Sequence, residues 1–304
     1  MSRLGDIGED AIVKKLIAQL SDCCEKDRQL VVGPGDDCAV VDLDQADRYQ
    51  LLKTDSMVEG IHYLAEASAR KVGWKAVARV ISDLAAMGGL PSHLLITIAM
   101  PPNKTVDYLE KLYEGMQFCA LEYGATICGG ETSSVPEGSA AVISVAATGW
   151  VEKNRCIRRC GGQVGDLIMV TGSLGGSITG KHLSFVPRVD QARWLTDHFK
   201  INSMMDLSDG LGCDLPRLAA ASRCGYMLNE SALPCNEGCS VDQALGDGED
   251  YELLFTVSTQ VAPTLADAWE KQFPDLKLSV IGELTKTQES MVGSEQGWQH
   301  FKPH

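Results

Sequence analysis

The chain has 304 residues, 44% apolar and 22% charged, a globular composition with room for two ordinary domains or one large one. Its formal net charge of −14, without a basic stripe, argues against nucleic acid as a partner. No apolar run reaches the roughly 18 residues of a membrane span, and the polar start MSRLGDIGED lacks a signal-peptide core, so a soluble cytoplasmic protein with no membrane partner is expected.

Residues 8–24 set Ile12, Val13, Leu16, Ile17 and Leu20 on one face at helical spacing. YQLLKT reads as a strand, and residues 69–87 read as a helix closed by Gly88-Gly89. The strand HLLITIAM ends at Pro101-Pro102; a helix over 104–123 and the long apolar strand AAVISVAATGWV follow. After the basic stretch NRCIRRCGGQVGD the pattern restarts with the strand DLIMVTG. Helices near 189–198 and 210–223, strands at YML and YELLFTV, the helix APTLADAWEKQF and the strand LKLSVIGEL complete it. The alternation predicts a mixed α/β (α+β) fold in two halves, sheets packed with helices, dividing into 1–151 and 152–304.

Eleven cysteines form no CxxC, and their odd count and apolar settings predict small core residues rather than zinc ligands or disulfides. One stretch imitates a nucleotide signature. Gly175, four residues, Gly180 and Lys181 follow the P-loop spacing, but His182 stands where the loop needs a Mg²⁺-binding hydroxyl. The match reads as a coincidence of a glycine-rich strand–helix connection.

The stronger signal is where the acids fall. GPGDD (33–37), TDS (54–56), SDLAAMGG (82–89), GGETS (129–133), DLSDG (206–210) and GDGEDYE (246–252) all follow or flank apolar elements; any one alone could be plain turn chemistry, but six together point further. Neighbouring carboxylates such as Asp36 and Asp37 repel unless a cation lies near, and no other counterion is evident in these loops. Oxygen donors without clustered His or Cys favour Mg²⁺, Mn²⁺ or Ca²⁺ over zinc. A Mg²⁺-dependent, phosphate-handling enzyme is the reading these residues support.

GPGDDCAV, TDSMVEGIHY, ISDLAAMGG, GGETS, DLSDGL, GEDYEL and the late GWQHF together resemble the thiamine-monophosphate kinases, within the aminoimidazole-ribonucleotide synthetase superfamily. The resemblance runs in order from about residue 5 to residue 301. It implies transfer of the γ-phosphoryl group of ATP to thiamine monophosphate, in a homodimer with ATP near the subunit interface. It makes 1–151 the ATP- and Mg²⁺-binding and dimerisation domain, with 152–304 completing the substrate site. The acceptor is an ionised phosphate, so no general base is implied, and catalysis rests on positioning and charge neutralisation by several Mg²⁺ ions.

By the same resemblance Asp37, Thr54, Asp55, Asp83, Glu131, Asp206 and Asp209 are candidate Mg²⁺ ligands. Gly130, Glu131, Arg159 and Ser208 are candidate ATP contacts, and His62, Glu249 and Trp298 candidate acceptor contacts. Trp298 would stack on the cationic thiamine rings. Two positions depart from the family pattern: Glu131 replaces Asp, and Lys53 stands where a small hydroxyl residue often precedes the Thr-Asp pair. The alternatives are another ATP-dependent synthetase or maturation enzyme of the superfamily, or a catalytically weakened metal- or nucleotide-binding regulator.

Overall fold

The computed structural model describes residues 3–286, 297, 298, 300 and 301. Helices α1 (Leu4–Ile7) and α2 (Glu9–Cys24) precede a six-stranded sheet. Its strands are β1 (Leu30–Val32), β2 (Ala39–Val41), β3 (Arg48–Val58), β4 (Leu90–Met100), β5 (Thr126–Ser134) and β6 (Val142–Glu152), in the order β1-β2-β3-β6-β4-β5. Between β3 and β4 runs α3 (Ala69–Ala86), and α4 (Val106–Glu122) carries the chain from β4 to its parallel neighbour β5.

The second sheet is antiparallel throughout. It comprises β7 (Leu167–Thr171), β8 (Ser203–Asp206), β9 (Gly225–Leu228), β10 (Leu253–Val257) and β11 (Leu278–Thr285), ordered β8-β10-β7-β11-β9. Helices α5 (Val189–His198), α6 (Leu211–Ala221), α7 (Val241–Gly246) and α8 (Ala262–Gln272) alternate with its strands. The fold is the expected mixed α/β arrangement of sheets packed with helices.

Helix α3 organises the interior. Alanines at 69, 76, 78, 85 and 86 keep it slim, and it is buried on nearly every side. It lies against β3, β4 and β6 of the first sheet and against α5 and β8 of the second half. Gly88, at φ 74°, ends it in the left-handed turn that glycine adopts at least cost, bonding back to Ala85 at 2.8 Å. Against α4 the approach is so close that a Cβ on Gly73 would overlap the Leu112 carbonyl, and one on Gly115 the Arg70 carbonyl. The larger hydrophobic cluster runs from the first sheet through α3 and α4 into Phe185, Leu195, Phe255 and Trp269 of the second half.

Two of the six acidic stretches lie inside strands instead of turns: TDS belongs to β3 and GGETS to β5. Ser82–Ala86 lie in α3, within the helix expected over 69–87. Strand β5 has no apolar alternation because nearly every residue of it is exposed; its hydrogen bonds to β4 hold it. The short β8 and α7 likewise carry too few residues to show a period. The apolar stripe of α2 is uncovered: Leu16 is 53% exposed and Leu20 49%. Leu52 and Leu95 are also exposed, on the face of the first sheet away from α3.

Candidate active site

Three predicted ligands converge. Asp37 comes from the β1–β2 loop, Asp83 from α3 and Asp206 from the end of β8, and each offers a carboxylate oxygen within 4.8 Å of the others. All three are buried. Burial and the Asp37 charge push Asp206 up to about 6, and burial holds Asp83 well above the usual carboxylate range against the pull of Lys53. The donor set is all carboxylate, and Asp37 Oδ2 is buried with no hydrogen-bond partner, so these residues fit a hard divalent cation.

The acids nonetheless have protein counterions, which corrects the expectation that none is present. The Arg159 guanidinium binds Asp37 through Nε at 3.0 Å and through Nη2, while its backbone N–H donates to Asp36 at 3.2 Å. Lys53 Nζ donates to Asp83 at 2.6 Å, Arg79 pairs with Asp55 at 3.0 Å, and Arg217 binds Asp209 at 2.5 Å. Ser82 Oγ donates to Asp206 at 2.6 Å.

A pocket of about 420 Å³ opens beside this cluster, between the two halves. Its wall includes His62, Glu249 and Trp298, the three predicted acceptor contacts, together with Ser208 and Asp209. Ile61, Leu64, Ile178 and Leu183 make much of the surface apolar. Main-chain bonds from Glu249 to Ser208 (2.7 Å) and from Tyr251 to Leu207 (2.8 Å) lace the GDGEDYE and DLSDG loops together. Glu249 and Tyr251 both sit at positive φ, 58° and 52°, a conformation costly for these residues and held here by that lacing. Buried Asp214 takes the N–H groups of Ser208 and Asp209, each at 3.0 Å, and so shapes the DLSDG turn.

Beneath the pocket lies a network that sequence reasoning missed. Lys75 is wholly buried; its ammonium donates to the His62 carbonyl at 2.6 Å and to Glu249, and lies 2.8 Å from His182 Nδ1. Burial lowers Lys75 to about 8 against the pull of Glu249. Burial would raise Glu249, but His182, Lys75 and Arg79 hold it down to about 2, so it is anionic at neutral pH. Burial, then Arg79, lowers His62 to about 4. His62 is therefore neutral, and its Nδ1 accepts the Val58 N–H at 3.1 Å, which leaves Nε2 to carry the proton.

Lys75, Arg79 and Asp83 are spaced four residues apart on α3, so one helix face leads from the pocket to the carboxylate cluster over about 12 Å. The signal was present in WKAVARVISDLAAM: charges recurring every fourth residue in an otherwise apolar helix need partners inside the protein.

Other predicted residues lie apart. Strand alternation puts Lys53 and Asp55 on one face of β3 and Thr54 on the other, exposed face, so the Thr54 side chain points away from the cluster. Gly130 and Glu131 are on the exposed edge strand β5, three strand spacings from β3, or about 14 Å. Within one chain they do not reach the cluster. Gly130 has a local reason of its own, since a Cβ there would overlap the Ile96 carbonyl. The P-loop imitation forms two short 3₁₀ turns, Ser177–Thr179 and Lys181–Leu183, rather than a phosphate-facing helix. Lys181 donates to the Ser173 carbonyl at 3.0 Å and lies 3.6 Å from Glu252.

Known proteins match along most of this length. The family descriptions "AIR synthase related protein, N-terminal domain" and "C-terminal domain" match residues 35–151 and 181–293. The thiamine-monophosphate kinase of Rhodopirellula baltica is 37% identical over 77% of this chain and 78% of its own. That of Synechococcus elongatus is 29% identical over 99% and 98%. The solved structure of AaThiL complexed with AMPPCP and TMP superposes with a TM-score of 0.83 at 28% identity, covering 99% of both chains. Two family descriptions in sequence order and a relative above 30% identity over three quarters of both chains lead to one conclusion: the chain belongs to the thiamine-monophosphate kinase family of AIR synthase related proteins.

Proposed function

We propose that this protein transfers the γ-phosphoryl group of ATP to thiamine monophosphate, giving thiamine diphosphate and ADP by direct in-line displacement. The observation that carries the reading is the joining of an apolar, partly anionic pocket to a buried carboxylate cluster along one face of α3. The relatives named above support the substrates, one of them through its complex with AMPPCP, an ATP analogue, and TMP.

In this reading the apolar wall and Trp298 receive the flat rings of the acceptor, and ionised Glu249 answers their positive charge. Neutral His62 presents an Nε2 proton toward the phosphate end. Ser208 stands ready for the nucleotide at the turn that follows Asp206. Within the cluster that Asp83 completes, Asp37 and Asp206 would hold Mg²⁺, which when bound neutralises charge on the phosphates. Asp55 and Asp209 flank them, currently engaged by Arg79 and Arg217. No side chain is assigned as a base, because the attacking phosphate oxygen is already ionised. Arg159 steadies Asp36 and Asp37, and in this reading it also contacts the nucleotide.

We assign residues 1–151 to nucleotide and metal binding and to dimer formation, and 152–304 to completing the acceptor pocket. The exposed α2 stripe, the bare face of the first sheet and the open edge strand β5 support a homodimer in which Gly130 and Glu131 meet ATP at the subunit boundary. Among the described residues no helix is long and apolar enough to cross a membrane, in keeping with a cytoplasmic enzyme. The test is ATP consumption with thiamine monophosphate, thiamine and an aminoimidazole precursor offered side by side. Turnover is expected with thiamine monophosphate alone, and preference for another acceptor overturns the assignment.

A further inference from the structure

Lys53 bears directly on the carboxylate cluster. It lies on the face of β3 that also carries Asp55, and its Nζ donates to Asp83 Oδ1 at 2.6 Å. The two side chains are only 22% and 9% exposed, so neither charge has water as an adequate substitute for the other. Across the cluster, Arg159 binds Asp37 through Oδ1 and leaves Oδ2 buried and unpartnered. Asp206 accepts the Ser82 hydroxyl, a neutral partner. Asp83 and Asp37 thus each have a cationic partner, and Asp206, on the Asp37 side, has none but the hydroxyl.

We propose that Lys53 is a built-in monovalent counterion that occupies the Asp83 carboxylate, so that the cluster takes a single divalent cation between Asp37 and Asp206. The inference rests on the divalent-site reading given above and adds which side chain competes with the metal. A divalent ion approaching Asp83 must displace an ammonium already in contact and suffers its repulsion at a few ångströms. A short neutral side chain at position 53 leaves Asp83 open to a second ion.

The experiment titrates Mn²⁺ alone into metal-free protein and counts free ion by electron paramagnetic resonance. Wild type, Lys53→Met and the double variant Lys53→Met/Asp83→Asn are compared. Lys53→Met is expected to bind one more Mn²⁺ per chain than wild type, and the double variant to return to the wild-type number. If Lys53→Met fails to fold, the double variant decides. With both charges removed it must match the wild-type count, and loss of its Mn²⁺ shows that Asp83 was a ligand all along and overturns the proposal. Equal counts and affinities for wild type and Lys53→Met sink the role of Lys53 and leave the divalent site standing. Absence of Mn²⁺ binding in all three removes both.

Discussion

Trp298 lines the pocket while its backbone N–H is held by the Asp209 carbonyl at 2.9 Å, so truncating the ring leaves the main-chain tie in place. Trp298→Ala is expected to raise the KM for thiamine monophosphate about 10- to 30-fold, as loss of a desolvated cation–π contact of up to about 2 kcal/mol implies, with the KM for ATP unchanged. Equal losses for both substrates with a lower Tm would show that the ring only packs. Asp206 offers a test through pH. Its carboxyl is raised from 3.8 to about 6 by burial and by Asp37, so the folded state resists its ionisation. That resistance costs stability above about pH 6, fades as pH falls, and is gone below the unfolded value of 3.8. Asp206→Asn should therefore stabilise the metal-free protein against urea at pH 8 and show no advantage near pH 4; a pH-independent difference refutes this. Asp83→Asn should not stabilise, because it strands the Lys53 ammonium. Asp37, Asp83 and Asp206 were legible through GPGDD, SDLAAMGG and DLSDG, stretches that carry the family resemblance. The partner that Lys75 and His182 share was not, because Glu249 lies 174 and 67 residues away from them in the chain.

Among the elements, the α3–α4 contact depends on two missing Cβ atoms. Gly115→Ala drives a methyl into the Arg70 carbonyl, and backbone cannot step aside as a side chain might. A loss of about 1–3 kcal/mol or more is expected, read as a lower urea midpoint at unchanged m-value. A neutral result there means that α4 slides freely on α3. Long elements with a clear period were legible in the sequence: α2, α3, α4, β4 and β6 lie where their apolar spacing puts them. Strand β5 was not, because an edge strand exposed on both faces has no buried side to impose alternation. TDS looked like a turn by composition, yet eleven consecutive cross-strand pairs with β6 hold it extended.

For the whole molecule, the exposed stripe of α2 and the bare sheet face are the surfaces on which the dimer proposal rests. Leu95→Glu, on β4 among exposed neighbours, should shift the protein from dimer to monomer in sedimentation velocity without altering the far-ultraviolet spectrum. A wild-type protein that sediments as a monomer at micromolar concentration ends the dimer proposal outright. The two halves meet around α3, which touches strands of the first sheet on one side and β8 and α5 on the other. That placement has a consequence for how the gene tolerates length changes. Each residue advances a helix by about 1.5 Å and turns it by about 100°. A single insertion between Arg79 and Asp83 would swing the carboxylate toward apolar neighbours while leaving the arginine where it was. Loops elsewhere absorb such slips at the surface; α3 has no slack, and its register is inherited whole or lost.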